Sequence, residues 1–348
     1  MAETGTRARV GQRSAMRHAR NWIGLGVSAL CVALLFARVD RHELIEAVRD
    51  IQPLWLLPAL ALLAASLWVR AARWAVIVRP VRAISTRDAA SLLVIGYAAN
   101  NVLPARAGEV VRSVLFQRRH GGSALTALAT IVVERVFDGA VLAVFLAAAL
   151  ASGTSSGPLR ALALIAGAGF SALLVGLAAL SAWPAPVRGL IDRVLRLTPG
   201  GLRVRLESLS VRFLDGLVPV RGLSTWTRVF ALTTGSWALE AACYWAVGEA
   251  FGLALSPWAY LGICGAANLA IAAPSTSGGI GPYEFFAREV TVALGVASGL
   301  ATAYALVLHA VVLIPVALAG VVLLWREQLG LRTLMTTELP PGPVGSAP

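Results

Sequence analysis

Residues 100–112 read NNVLPARAGEVVR and lie between two of the most apolar parts of the chain. Within that short stretch stand Asn100, Asn101, Pro104, Arg106, Gly108, Glu109 and Arg112. A proline and a glycine break a regular helix. Ionisable groups at membrane depth are tolerated only where they face protein or water. How this stretch is read decides whether the apolar piece before it, residues 89–104, crosses a bilayer or turns back inside it.

The surrounding composition makes a bilayer the relevant solvent. Of the 348 residues, 57% are hydrophobic and 14% are charged, and the mean hydropathy is +0.74. Soluble domains carry about a quarter charged residues. The chain has room for roughly six to nine spans of about 20 residues joined by short loops. The net charge of +12 comes from arginine alone, since the sequence holds no lysine. These arginines are spread over loops between apolar runs, as at a cytoplasmic face with anionic lipids. Nucleic acid is therefore not an expected partner. Cys31, Cys243 and Cys264 each lie inside an apolar run and read as small hydrophobes. His18, His42, His120 and His309 are scattered without metal-ligand spacing, so neither a metal nor another cofactor is expected.

Charge orients the apolar segments. Residues 1–21 form a basic tail ahead of the first apolar run, 22–36, and no small-residue cleavage site follows that run. Residues 38–50 balance three arginines against four acids and read as external. Span 54–78 returns to Arg79, Arg82 and Arg87. The piece 89–104 is only about 16 residues long and is followed by Arg106, Arg112, Arg118 and Arg119. Two equally basic neighbouring loops belong on the same face, so residues 89–104 are expected to enter and leave from the cytoplasm as a re-entrant hairpin. Span 124–150 runs out and 159–183 runs back. Residues 184–224, with seven arginines against three acids, form the main cytoplasmic loop, with amphipathic turns on the lipid surface. Span 226–251 runs out. Residues 258–299, interrupted by APSTSGGIGPYEFFARE, form a second hairpin from the opposite face, and 300–324 returns inside.

The expectation is an all-α polytopic helical bundle with about six full spans and two re-entrant hairpins. It divides into a single transmembrane domain over 22–325 and tails at 1–21 and 326–348, with both termini cytoplasmic in the plasma membrane. Both hairpins carry an Asn, a Pro, a Gly and a Glu in the same order: Asn101, Pro104, Gly108 and Glu109, then Asn268, Pro274, Gly281 and Glu284. Two broken segments of related chemistry entering from opposite faces suggest an inverted-topology repeat, which builds transport sites near the bilayer midplane.

The polar groups have two readings each. Glu134, Arg135 and Asp138 fall inside span 124–150. Glu134 and Asp138 share one helical face, and Arg135 points about 100° away. They either form an interhelical ion-pair network, with Glu109 or Glu284 as partner to Arg135, or handle a substrate or proton. Arg106 and Arg112 bracket Glu109 and either grip a phosphate as a fork or snorkel to the head-group layer. Ser277, Gly278, Gly279 and Gly281 either offer backbone N–H groups to an anion at a half-helix end or simply make a turn. Glu240 reads as a proton carrier or as a buried structural acid, and His309 as a hydrogen-bonded core histidine more readily than as a proton switch.

These motifs resemble a known family. The stretch NNVLPARAGEVVR followed by ERVFD is similar to the Asn, Leu-Pro, Arg, Gly-Glu, Arg and Glu-Arg-x-x-Asp signatures of the lysylphosphatidylglycerol synthase transmembrane, or flippase-like, family. APSTSGGIGPYEFF resembles its second signature, Gly-Gly-x-Gly-x-x-Glu. The resemblance spans residues 22–325. It implies a membrane domain that translocates anionic lipids, either phospholipids or polyprenyl-phosphate-linked lipids. Lysyl transfer is not expected, because only a short tail follows Leu324. Two positions depart from the family: Ser277 stands where a proline is common, and His309 stands where an arginine is common. The expected partners are anionic membrane lipids and a separate lipid-modifying enzyme. No ATP-binding motif is present, so ion or lipid gradients would drive movement. Two other classes stay open: a membrane-embedded enzyme acting on a lipid-linked sugar, and a non-transporting scaffold for a synthase.

Overall fold

The computed structural model describes residues 25–36, 41–103, 107–151, 157–196, 198, 206, 210, 214, 216, 222–271 and 277–326. The N-terminal tail, the C-terminal tail past Arg326, Pro104, Arg106 and Pro274 lie outside the described residues, as do Ser275 and Thr276. Among the described residues the secondary structure is helical, with no strand. In chain order the helices are α1 (Leu25–Phe36), α2 (Arg41–Arg49), α3 (Leu56–Val78), α4 (Thr86–Val102), α5 (Gly108–His120), α6 (Ala124–Ala151), α7 (Gly157–Ala182), α8 (Pro184–Leu195), α9 (Leu223–Ala250), α10 (Pro257–Ala270), α11 (Pro282–Ala293) and α12 (Ser298–Arg326).

The helices fall into two length classes. Helices α3, α6, α7, α9 and α12 have 23, 28, 26, 28 and 29 residues. At about 1.5 Å per residue each exceeds the roughly 30 Å of a hydrocarbon core. Among the described residues three segments are both long and apolar enough to cross on composition: Pro53–Val78, Leu159–Leu180 and Ser298–Arg326. Helices α4, α5, α10 and α11 have 17, 13, 14 and 12 residues, the first at the lower limit of a span and the other three below it. They pair as two helical hairpins, α4 with α5 and α10 with α11.

Local chemistry sets these ends. Ser85 caps α4, its Oγ accepting from the Asp88 N–H at 3.1 Å, which satisfies one of the otherwise unpaired first-turn donors. The chain leaves α4 at Leu103 with extended backbone (φ −88°, ψ 140°), the conformation imposed on a residue before proline. It then folds back so closely that a Cβ on Gly108 would lie 2.0 Å from the Gly96 carbonyl oxygen. The Asn100 Oδ1 accepts from the Gly108 N–H at 2.8 Å and closes the hairpin. In the second hairpin Gly281, at φ 100°, makes the turn, and Pro282 starts α11 at a position that needs no N–H donor.

The packing pattern repeats. Helix α3 lies along α9, α4 packs on α12 as α10 packs on α6, and α5 joins α6 as α11 joins α12. Mapping α3–α6 onto α9–α12 therefore preserves the neighbours, a pseudo-twofold arrangement about the α3–α9 seam. Helix α7 lies outside this core against α6 and α8, and α2 packs on α12. The hairpin tips meet: residues 277–279 pack on α4, and a Cβ on Gly278 would lie 4.0 Å from the Asn101 carbonyl oxygen.

Candidate functional site

The α3–α9 seam carries charge where a bundle core is normally apolar. Helix α3 presents Ser66, Arg70 and Arg73 on one stripe, α6 presents Thr130, Glu134 and Asp138, and α9 presents Thr233, Ser236, Trp237, Glu240 and Tyr244. Spacings of three and four residues put each set on a single face. The Arg73 side chain is 0% exposed. Its Nη1 donates to Asp138 Oδ1 at 2.5 Å and to Thr233 Oγ1 at 3.0 Å, and its Nη2 donates to Glu134 Oε1 at 3.1 Å. Trp237 Nε1 also donates to Asp138 Oδ1, at 2.8 Å. Arg70 Nη2 donates to Glu240 Oε2 at 2.6 Å, and its guanidinium lies 3.8 Å from the Trp237 ring centroid. From the first hairpin, Arg112 Nη1 approaches Glu134 Oε2 to 2.8 Å as an ion pair, and its guanidinium covers the Trp74 ring at 3.7 Å. Trp74 Nε1 is held by Thr130 Oγ1 at 3.1 Å. Removing either sign from this network would leave a charge unpaired in a low-dielectric core.

Arg135 is held differently. It turns away from the Glu134–Asp138 face toward the first hairpin, where its Nε lies 3.8 Å from Glu109 Oε1 and its Nη1 lies 3.6 Å from Asp138 Oδ2. Among the described residues its hydrogen bond, from Nη2 to Tyr97 Oη, is 3.3 Å long, and its Nε, like Arg73 Nε and Arg112 Nε and Nη2, has no hydrogen-bond acceptor. Its side chain is 33% exposed and that of Glu109 is 27%, against 5% or less for Arg73, Arg112, Glu134 and Asp138. Arg135 is thus the loosely bound, accessible cation of the network.

The second hairpin holds its own pair. Glu284, in the first turn of α11, accepts from the Gly281 N–H at 2.7 Å through Oε2, while Oε1 lies 2.7 Å from His309 Nδ1 of α12. His309 stacks on Tyr283 with ring centroids 4.2 Å apart. The Tyr283 hydroxyl meets that of Tyr244 in a short hydrogen bond, and Asn268 Nδ2 donates to Tyr244 Oη at 2.8 Å. Asn268 stands 3.5 Å from Glu240 Oε1, so a chain of polar groups runs from His309 to Arg70. Under the pseudo-twofold, His309–Glu284 occupies the place of Arg135–Glu109.

The structure thus gathers Glu109, Arg112, Glu134, Arg135 and Asp138 into one network and Ser277, Gly278, Gly279, Gly281 and Glu284 into a second group. Asn101 lies between them in the last turn of α4. It is Asn100, its neighbour, whose side chain closes the hairpin. Arg112 is enclosed, facing Glu134 and Trp74. The residues that sequence reasoning passed over are Arg70 and Arg73. Their signal was available: two arginines three apart inside an otherwise apolar span, with no acid on the same helix to neutralise them.

The chain is similar to the protein described as Glycosyltransferase AglD from Haloferax volcanii, with 26% identity over 91% of this chain and 55% of that protein. It therefore spans about half the length of that relative. The model of the family described as lysylphosphatidylglycerol synthase TM region matches residues 21–320. Those residues include both hairpins, the α3–α9 seam and His309, and the chain belongs to the lysylphosphatidylglycerol synthase transmembrane family, a family of membrane proteins.

Proposed function

We propose that this protein moves an anionic lipid, a phospholipid or a polyprenyl-phosphate-linked lipid, between the leaflets of the plasma membrane. The reading rests on one observation: of the arginines in the core network, Arg135 alone is a third exposed and, among the described residues, is held only by contacts of 3.3 Å or longer. A planar guanidinium with spare donors is the group that binds a phosphate in two-point fashion. Its neighbours suit a passing ligand. Two half-length hairpins meet beside it, and non-helical backbone at membrane depth is tolerated where it lines a cavity. Glu109 holds the guanidinium between substrates, and a phosphate displaces it. Arg70, Arg73 and Arg112 are committed to carboxylates and stiffen the frame. Arg106, the other arginine of the first hairpin, would meet the head group at the cytoplasmic mouth. Both termini are cytoplasmic in this reading, and the hairpins enter from opposite faces.

The name of the AglD relative favours a second reading, in which the chain serves lipid-linked glycan synthesis as an accessory to a glycosyltransferase. One experiment separates them. Purified protein is reconstituted into liposomes carrying fluorescent phosphatidylglycerol or a fluorescent polyprenyl phosphate in parallel arms, and probe accessible to dithionite is followed over time. Acceleration by wild type, reduced tenfold or more by Arg135→Ala, supports translocation and identifies the lipid class. No acceleration in either arm by folded protein removes the translocation reading and leaves the accessory one.

A further inference from the structure

We infer that the Glu284–His309 pair is a proton-binding site, and that its occupancy couples lipid movement to pH; the second clause rests on the translocation reading above. His309 Nε2 lies 3.1 Å from the Gly278 carbonyl oxygen, which can only accept, so this nitrogen carries a hydrogen. His309 Nδ1 lies 2.7 Å from Glu284 Oε1. The other carboxyl oxygen already accepts from the Gly281 N–H. A neutral imidazole with its hydrogen on Nε2 has a bare lone pair on Nδ1. Facing a carboxylate oxygen at 2.7 Å, that lone pair would repel it. The contact exists because one proton sits between the two atoms, either on the ring or on the carboxyl. Losing the proton leaves a net negative pair in mutual repulsion, and the pair separates.

Each member is tied to the glycine turn. His309 Nε2 holds the Gly278 carbonyl, and Glu284 holds the Gly281 N–H, so both ends of the glycine turn hang on this pair. Gly278 in turn lies against the Asn101 backbone at the tip of the first hairpin. Separation of the pair therefore releases the contact between the hairpin tips.

The surroundings leave this pair as the titrating unit. From α11 the ring meets Glu284 and the stacked Tyr283. From α9 comes Tyr244, joined to Tyr283 by their hydroxyls, and from α10 come Asn268 and Cys264. On α1, Cys31 and Ser28 lie against Gly281. On α4, Arg87 and Asp88 stand in the first turn, where Ser85 caps the helix, and Tyr97 is turned to Arg135. The carboxylate of Glu240 stands beyond Asn268 and is held by Arg70. Histidine is the side chain that ordinarily changes charge between about pH 5 and 8, and the first hairpin uses an arginine at the matching place. One half of the pseudo-twofold is thus permanently charged and the other is switchable.

Two measurements test this on the full chain. Histidine-selective nitrogen-15 NMR in lipid nanodiscs, with His309→Gln used to assign the signal, reads proton occupancy directly. The expected result is a His309 ring protonated on both nitrogens, or sharing the Nδ1 proton, at low pH, with that proton lost in a single step as the pH is raised. The liposome assay at stepped pH then reads the coupling. Wild-type transport should change about tenfold per pH unit on one limb of its profile. His309→Arg should transport with that limb gone, and His309→Gln with Glu284→Gln should behave likewise. A His309 signal that does not titrate overturns the proton site. A titrating signal with identical pH profiles in wild type and His309→Arg overturns the coupling. A titrating signal in protein that moves no lipid at any pH overturns the translocation reading and the coupling with it, and leaves the proton site standing.

Discussion

The two hairpins present the same parts in different states of commitment. In the first, Arg135 and Glu109 stand 3.8 Å apart with side chains 33% and 27% exposed; in the second, His309 and Glu284 stand 2.7 Å apart with side chains 8% exposed. The first is a permanent charge on a slack tether, and the second is a titratable group in a closed hydrogen bond. A slack, accessible guanidinium suits a ligand that arrives and leaves, because little is lost when Glu109 is displaced. A closed pair suits a proton, the one ligand small enough to enter without opening the packing. Both hairpins lean on a seam that does neither, where Arg70 and Arg73 of α3 cross to α6 and α9 through contacts of 2.5 to 3.3 Å.

The largest effect should come from breaking that seam, which removes the frame from both sides of the comparison. Arg73→Met leaves Glu134 with Arg112 alone and deprives Asp138 of its closest partner. Removing one member of a buried network strands the rest and costs about 3–5 kcal/mol. Thermal unfolding in detergent should show a large drop in midpoint, or the variant should fail to accumulate. Adding Asp138→Leu should recover part of the loss, since the pair leaves together. A small loss for Arg73→Met would mean that the network can rearrange and that the two halves are less rigidly joined.

The next largest effect separates how the hairpins are closed. Gly108 is needed for space, because a methyl group there would meet the Gly96 oxygen at 2.0 Å and Asn100 Oδ1 at 2.7 Å. Gly108→Ala should cost about 1–3 kcal/mol by prising α5 from α4, read as a lower unfolding midpoint. Gly281 is needed for its φ of 100° as well as for space against Ser28. Gly281→Ala should therefore also loosen the Glu284–His309 contact and shift the His309 signal, which Gly108→Ala should leave in place.

Third is Arg135 itself. Arg135→Ala should slow lipid movement tenfold or more, about 1.4 kcal/mol, while shifting the unfolding midpoint by only a few degrees, because its contacts are long and partly solvated. Arg135→Lys keeps the charge and loses the planar fork, so it should recover part of the rate. Equal losses of rate and of stability would assign Arg135 to the frame.

The balance between what the chain announces and what it hides follows from how far apart partners lie in sequence. The breaks are legible because Pro, Gly, Asn and Glu are conspicuous inside apolar runs, but the limbs of the first hairpin are not: the piece 89–104, expected to enter and leave by itself, lies as far as Val102 in the single helix α4, and the basic stretch 108–120 forms the return limb α5. The face shared by Glu134 and Asp138, with Arg135 pointing elsewhere, follows from helical geometry alone, and the pairing of Arg135 with Glu109 was one of two partners that chemistry offered. The partner of Glu134 is a different case. Arg73 lies 61 positions away on a span whose overall apolarity masks two arginines, and no local period connects them. Arg112 reads as one arm of a phosphate fork or as an interfacial arginine, yet it is enclosed, paired with Glu134 and lying over the Trp74 ring. His309 in an apolar helix reads as a core residue; both its hydrogen-bond partners come from the other side of a turn.

The smallest expected effect lies at the outer ends of the hairpins and sharpens the same contrast. Helix α4 begins at Ser85, whose Oγ accepts from the Asp88 N–H at 3.1 Å and donates to the Asp88 carboxylate at 2.7 Å. Helix α10 begins at Ser256, whose side chain makes no capping hydrogen bond, and Pro257 fills the first helical position instead. The residue type is the same at both starts, but only one serine caps. Ser85→Ala should cost about 1 kcal/mol, and Ser256→Ala should stay within about 0.5 kcal/mol of wild type. Neither should alter lipid movement, because both lie a full helix away from the hairpin tips. An equal cost at the two sites would mean that Ser256 takes up a cap in the membrane-bound protein, and that the two hairpins are more alike at their outer ends than at their tips.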